Sequence, residues 1–265
     1  MPALRRLIGL AALSALVVVA VPTAGAQTPT VTSVIGSADG LSVDVEVDEA
    51  IIKADVGALA TLAFGPEPSV TLPSEGGSVS EQVLGVDESV VLLSLTAAVL
   101  RTSAEGALGP QGFATAETTV ADIELAEVVA PREAGVQQLT EPILAAEAIT
   151  ATCAADLTGV SGSTTLVGAS VLGTALDAEP DPNTELEVVS SDLATVGVTL
   201  NRQVQNSDGS LSVTALVLEI DVGEGLITGT LEIGPATCGV VEGEVPAPAP
   251  APVPAPVSAQ VRFTG

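Results

Sequence analysis

The chain has 265 residues, of which 33 are Asp or Glu and only seven are Lys or Arg, so its formal charge at pH 7 is −26. Nucleic acid and anionic lipid both require clustered cations that neutralise phosphates, and this composition excludes both partners. The sequence has no His, Trp or Tyr, so it lacks the commonest general base and the rings on which sugars usually stack. Catalysis and carbohydrate binding are therefore disfavoured, and no cofactor is expected.

Residues 1–26 have the pattern of an export signal. An arginine pair at 5–6 precedes an apolar run over 7–21, and small residues at 24–26 form a cleavage site. The run is short for a bilayer, which favours a cleaved signal over a retained membrane helix. The mature protein is predicted to begin at residue 27 and to have no membrane contact. General secretion is favoured over twin-arginine export, because no polar residue stands just before the arginine pair.

From about residue 31 to 240, apolar and polar residues alternate between frequent Gly, Ser, Thr and Asp breaks, which predicts an all-β domain. The pattern is clearest over 43–48, where valines point one way and carboxylates the other. Gly36 and Gly40 punctuate the strand before it. Further strands are predicted over 90–100, 113–129, 149–155, 163–172, 196–200, 211–222 and 227–233.

Several local signals refine this pattern. The strand over 90–100 is the most continuously apolar and is predicted to be central in its sheet. Residues 159–162 are predicted to form a turn, and 206–210 a hairpin turn. Residues 141–149 have some helical character, but Pro142 favours a loop that enters a strand. Within 211–222 the apolar residues change from odd to even positions, so we expect a β-bulge or a doubly buried stretch near 215–217.

Residues 27–244 are therefore expected to form an extracellular β-sandwich or a jelly-roll-like domain. The alternative of two lobes, divided near Pro131, stays open. From residue 245 the composition changes to alternating Pro and Ala, which predicts an extended polyproline spacer over 246–256 followed by a short C-terminal tail.

Cys153 and Cys238 are the only cysteines and lie 85 positions apart. Two thiols in an exported protein most simply form one disulfide. A structural metal site is disfavoured, because neither His nor a third Cys is present to complete it.

Calcium is a candidate ligand of the acidic residues, because hard cations prefer carboxylate and carbonyl oxygens. Asp177, Glu179, Asp181 and Asn183 have alternate spacing, but Pro182 stands where a calcium loop needs Gly. The segment is interpreted as a solvated acidic loop, with a weak calcium site as the alternative. The remaining acidic candidates are interpreted as a solvated strand face and a turn residue: Asp44, Glu46 and Asp48 for the face, and Asp208 for the turn.

Six short segments along the predicted domain carry a family resemblance. They read SADGLSV at 37–43, ATCAA at 151–155, GSTTLVG at 162–168, VTLN at 198–201, LSVTAL at 211–216 and ATC at 236–238. Together they resemble the choice-of-anchor P family of exported bacterial proteins, found chiefly in high-G+C Gram-positives. The resemblance implies an exported domain followed by one of several anchoring signals, with no assigned activity and no catalytic residues. This chain departs from the pattern in having no recognisable anchor after its Pro-Ala tract.

These observations predict an exported, non-catalytic β-sandwich that is secreted or lies at the cell wall or cell surface. Its role would be structural or in interaction with an unidentified envelope or extracellular partner. The alternative is a calcium-dependent extracellular binding module. An enzyme that hydrolyses its substrate with two carboxylates ranks below both.

Overall fold

The computed structural model describes residues 29–47, 61–90, 93–127, 141–190, 194–222 and 227–244. The predicted export signal, Pro131 and the tail over 245–265 lie outside these ranges. Within them, no helix is long and apolar enough to cross a membrane. The described residues form thirteen strands: β1 (Pro29–Val47), β2 (Thr61–Thr71), β3 (Gly77–Val90), β4 (Leu93–Ala107), β5 (Phe113–Glu127), β6 (Leu144–Asp156), β7 (Gly159–Val167), β8 (Ser170–Val171), β9 (Thr174–Ala175), β10 (Thr184–Ser190), β11 (Ala194–Gln205), β12 (Leu211–Val222) and β13 (Ile227–Glu244).

The strands form two antiparallel sheets that pack face to face. Sheet 1 has the order β10-β11-β12-β13-β1-β2, and sheet 2 has the order β3-β4-β5-β6, with β7 and β8 both on β6 and β9 on β8. Most neighbours are consecutive hairpins, so the molecule is a sandwich of two meanders rather than a Greek-key jelly roll. Strands from before and after Pro131 pair with each other in both sheets, which makes the described residues one sandwich.

Alternation produces the core as the sequence predicts. Val43 and Val45 are buried in β1, whereas Asp44 and Glu46 between and beyond them are exposed. The same rule applied to every long strand gives one continuous core of Val, Leu, Ile and Ala between the sheets. Such a core replaces large aromatic side chains with many small contacts, each removing apolar surface from water.

In each sheet, one row of residues across the strands is not paired, although the residues on both sides of it are. We call this row the kink row. In sheet 1 it contains Asn201, Ala215 and Gly234, and the pairing on either side keeps the same register. In sheet 2 it contains Gly85 and Asp122. Asn201, Gly234, Gly85 and Asp122 have φ values of 50°, 68°, 70° and 50°. This left-handed backbone interrupts the alternation, so the buried positions change parity at the row.

Strand β12 shows this change at the place that its sequence predicts. Leu211 and Val213 are buried before the kink row, and Leu218 and Ile220 are buried after it. Every residue over 213–218 is buried, so both faces of the strand are covered there. The doubly buried stretch expected near 215–217 is confirmed.

The strand predicted over 90–100 is confirmed only from Leu93, where β4 begins. This span contains the end of β3 and the start of β4, which pair antiparallel with Val90 opposite Leu93. An apolar sequence without Gly, Pro, Asn or Asp at the connection gave no turn signal. The part within β4 is an interior strand of sheet 2, as expected of a continuously apolar segment.

Other strand limits also differ from the sequence pattern. The turn predicted at 159–162 lies at Leu157 and Thr158, because both Gly159 and Gly162 pair with β6. Strand β6 begins five residues earlier than predicted, and β7 ends at Val167. Strand β1 continues through both Gly36 and Gly40. Gly36 pairs with Cys238, whereas Gly40 has no partner in either ladder of β1 and lies where its buried positions change parity.

Candidate functional site

The predicted disulfide between Cys153 and Cys238 is present and joins the two sheets. Cys153 lies on β6 of sheet 2 and Cys238 on β13 of sheet 1, with their Cα atoms 5.6 Å apart. Both residues are buried, at 2% and 0% exposure. We call the part of the sandwich on this side of the kink rows the disulfide half, and the other part the acidic half.

The acidic loop over 177–183 is hydrogen-bonded to β11. The backbone N–H of Gln203 donates to Asn183 Oδ1 over 2.8 Å, and Asn201 Nδ2 donates to the carbonyl of Pro180 over 2.9 Å. Asn183 is therefore engaged within the fold rather than presented to a cation. Asp177 accepts a hydrogen bond from the backbone of Glu179.

The other acidic candidates lie on the surface that the sequence assigned to them. Asp44 and Glu46 face solvent from sheet 1 in the acidic half, and Asp48 lies outside the described residues. Asp208 is a turn residue, as predicted: its Oδ1 accepts hydrogen bonds from the N–H and hydroxyl of Ser210, which lower the pKa of its carboxyl. Among the described residues, no three or more His, Cys, Asp or Glu side chains are grouped to hold a metal.

Sequence reasoning missed a polar surface on the outer face of sheet 2. In the disulfide half, Ser and Thr dominate three rows that cross β3, β4, β5, β6 and β7. The inward-facing positions between them, such as Thr102, Thr118 and Ala151, are buried. The rows are Ser78-Glu105-Thr115-Ala154-Ser161, Ser80-Ser103-Glu117-Thr152-Ser163 and Gln82-Arg101-Thr119-Thr150-Thr165. We call these three rows the hydroxyl face.

Two adjoining depressions, of about 420 and 390 Å³, lie on the hydroxyl face and share Thr115 and Ala154. Together they form a shallow trough that runs from β3 to β7. The outward-facing Ala154 lies where the two depressions meet, and Phe113 lines one end. The hydroxyl groups along it belong to Ser78, Ser103, Thr115, Thr152, Thr158 and Ser161.

Hydrogen bonds hold several side chains of the hydroxyl face in place. The hydroxyls of Thr152 and Ser163 lie 2.8 Å apart, and those of Thr119 and Thr150 lie 3.3 Å apart. Each pair connects neighbouring strands, so the positions of these groups follow the sheet. A hydroxyl bonded to its neighbour keeps a free lone pair, and the face therefore stays able to hydrogen-bond a ligand.

Three carboxylates line the trough: Glu105, Glu117 and Asp156. Asp156 is already engaged, because its Oδ1 accepts hydrogen bonds from the hydroxyl and N–H of Thr158, which lower the pKa of its carboxyl. Glu105 and Glu117 are exposed. The only cation on the hydroxyl face is Arg101, whose Nη2 donates to Gln82 Oε1 over 3.1 Å.

A signal for this face does exist in the sequence. Ser or Thr occupies alternate positions at 78–80, 150–152 and 161–165, and 115–119 reads Thr, Glu and Thr at its alternate positions. Each segment by itself is an ordinary polar strand face. Only the strand pairing brings the four segments onto one face, with β4 between 78–80 and 115–119.

Comparison of the chain with protein-family models, with curated proteins and with solved structures gives no match.

Proposed function

We propose that the chain is an exported, non-catalytic β-sandwich protein that lies at the cell envelope or is released near it, in a structural or interaction role. The observation that carries the proposal is the buried disulfide between the two sheets. Stable disulfides form in oxidising compartments outside the cytosol. The sequence pattern of an export signal over 1–26 supports the same location.

The exposure of Glu105 and Glu117 supports a binding role over hydrolysis. A hydrolase that acts on glycosidic bonds needs one carboxyl group protonated at working pH, and burial in an apolar pocket commonly raises its pKa for this purpose. These two side chains lie on an open sheet face, where water reaches both of them. An exposed polar trough on a paired β-sheet suits the recognition of an extended partner.

Localisation tests the proposal. The full chain and a version ending at Val245 are expressed in the native host, and cells, wall and medium are fractionated. We expect both proteins outside the cytoplasm, with Cys153 and Cys238 unreactive towards a thiol-specific polyethylene glycol reagent until they are reduced. Retention of the full chain alone on the envelope would assign anchoring to the tail, whereas equal release would make it a freely secreted protein. A cytoplasmic protein with reactive cysteines would contradict the proposal.

A calcium-dependent binding module is the second candidate, because Asp177, Glu179 and Asp181 are all exposed in one loop. It is the weaker proposal, since the hydrogen bond to Asn183 removes the fourth oxygen of the series. Thermal unfolding in millimolar calcium and in chelator separates the two candidates. A binding module predicts a higher Tm with calcium. An unchanged Tm would remove this candidate.

A further inference from the structure

We propose that the trough on the hydroxyl face binds an uncharged polysaccharide chain. This inference rests on the proposed function, because it names the ligand class of an extracellular interaction protein. It also revises the expectation drawn from composition, which disfavoured carbohydrate binding for want of Trp and Tyr. In the structure, hydroxyl and carboxylate groups that can hydrogen-bond a sugar are present, although Trp and Tyr rings on which a sugar could stack are absent from the sequence.

The abundance of serine on the hydroxyl face points to a binding role. Thr is favoured in strands because it is β-branched, but Ser has no such preference. Ser78, Ser103 and Ser161 nevertheless occupy outward positions along the trough. A hydroxyl both donates and accepts hydrogen bonds, which matches a ligand that is itself covered with hydroxyl groups.

The charges along the trough exclude an anionic ligand. Glu105 and Glu117 would repel phosphate, sulfate or uronate groups, and the protein as a whole is strongly acidic. A carboxylate offers about four lone-pair sites, so each of these residues can accept hydrogen bonds from two adjacent hydroxyls of a sugar. Hydrogen bonds to a charged group are about twice as strong as neutral ones.

A cationic ligand would find a better site elsewhere on the molecule. Exposed carboxylates lie on the outer surface of sheet 1 in the acidic half and along the kink row of sheet 2, whereas hydroxyls outnumber carboxylates in the trough. A basic polymer is attracted by the density of negative charge, and the neutral hydroxyls of Ser and Thr add little to that attraction. Exposed carboxylates of the acidic half include Asp44, Glu46 and Glu219 on sheet 1 and Glu124 on sheet 2, and Asp122 and Glu147 lie beside them in the kink row.

The shape of the trough favours a polymer over a small molecule. The trough is open and crosses five strands. Because neighbouring strands lie about 4.8 Å apart, its length across the sheet is about 19 Å. Phe113 lies at one end, half-buried, and offers a ring for the apolar face of one sugar unit. An open surface of this length can contact several units of a chain, each of them weakly.

Affinity electrophoresis of the purified full chain tests the proposal. The probes are laminarin, mannan and glycogen as uncharged polysaccharides, alginate as an anionic one and polylysine as a cationic polymer. We expect at least one uncharged polysaccharide to retard the protein, and alginate to have no effect. Replacing Glu117 with Ala should weaken the binding about tenfold, because a charged hydrogen-bonding group at the centre of the trough is lost. Phe113→Leu should weaken it less, because an apolar side chain remains.

Glu219→Ala is the matched control, because Glu219 is also an exposed glutamate on an interior strand but lies in the acidic half. It should leave polysaccharide binding unchanged, and circular dichroism should show that all variants are folded. The proposal is overturned if no uncharged polysaccharide retards the protein, if polylysine alone does, or if E117A and E219A behave alike. Release of reducing ends would also overturn it in favour of hydrolysis, and loss of a homodimer in E117A would reassign the face to self-association.

The two proposals can fail separately. A cytoplasmic location with intact polysaccharide binding would remove the export claim and keep the ligand. An exported protein that binds none of the three uncharged polysaccharides would keep the location and remove the ligand.

Discussion

The disulfide half and the acidic half of the sandwich are built from the same strands but present different chemistry to solvent. In β5, the outward residues Thr115, Glu117 and Thr119 lie in the disulfide half, Asp122 lies in the kink row, and Glu124 lies in the acidic half. The division falls at the kink row, where the buried positions change parity. Alternation therefore decides which residues face outwards, while their chemistry changes along a single strand.

The interior does not share this division. The core is continuous through both halves, and β1, β4, β5, β6, β12 and β13 all cross the kink rows. Surface substitutions should therefore act on one half only, whereas interior substitutions should act on the whole molecule.

The largest effect is expected when the disulfide is removed. Cys153 and Cys238 close a loop of 85 residues, and replacing both with Ser should lower the free energy of unfolding by about 4.6 kcal/mol in the chain-entropy model. Urea unfolding of the oxidised protein and of the double variant measures the difference. One cooperative transition is expected in each, because the strands run through both halves. Two separate transitions in the variant would show that the halves are independent units.

The fold could be predicted from the sequence where alternation is strong. The strand over 211–222 and the hairpin at 206–210 were predicted at their observed positions, and the change of parity marked the kink row. Strands β2, β3, β9 and β10 were not predicted. All four lie at sheet edges, where one face or both can stay polar and the alternation is weak.

The trough could not be predicted, for a different reason. Its polar residues are spread over 78–161 and come together only through the pairing of five strands. Pairing depends on long-range contacts that no local pattern specifies. The disulfide was predictable because only two cysteines exist, so their pairing left no choice.

The second prediction compares an inward glycine with an outward one. A Cβ on Gly162 would lie 2.2 Å from Val213 Cγ2, where sheet 2 meets a fully buried, β-branched side chain of sheet 1. Gly162→Ala should therefore cost about 1–3 kcal/mol through overpacking. In the acidic half, a Cβ on Gly197 meets nothing closer than 3.4 Å. Gly197→Ala is the control, and equal urea midpoints for the two variants would contradict the close approach of the sheets.

Two threonines that lie opposite each other in sheet 2 test the hydrogen bond between sheet 2 and the backbone of sheet 1 beside its kink row. Thr118 Oγ1 donates to the carbonyl of Asp39 over 3.0 Å, next to the row in sheet 1. Thr102 lies opposite Thr118 in the ladder and is equally buried, but its hydroxyl has no hydrogen-bond partner. Thr118→Val should lower the free energy of unfolding by about 1 kcal/mol, and Thr102→Val should raise it by about as much. Denaturant unfolding of both variants measures this, and a change of the same sign in both would refute the assignment.

The smallest effect concerns two equivalent turns at the disulfide end, one on each sheet. Asp156 closes the turn between β6 and β7, and Asp208 closes the turn between β11 and β12. Hydrogen bonds from Thr158 and Ser210 lower the pKa of these two carboxyls below the ordinary value of 3.8. Because the folded pKa is the lower one, the stabilisation is complete above pH 3.8 and is lost as the pH falls through the folded value.

Asp156→Asn and Asp208→Asn keep an acceptor oxygen and remove the charge, so each should lower Tm slightly at neutral pH. The difference from the parent protein should shrink as the pH falls below 3.8, since the parent carboxyl then loses its charge as well. Thermal unfolding of both variants across this range is the measurement, with Glu124→Asn as the control for loss of an exposed charge in the acidic half. Because both turns use the same hydrogen bonds, the two variants should respond alike. A pH-dependent difference in only one of them would show that hydrogen bonds to the Asp carboxylate do not stabilise the two turns alike.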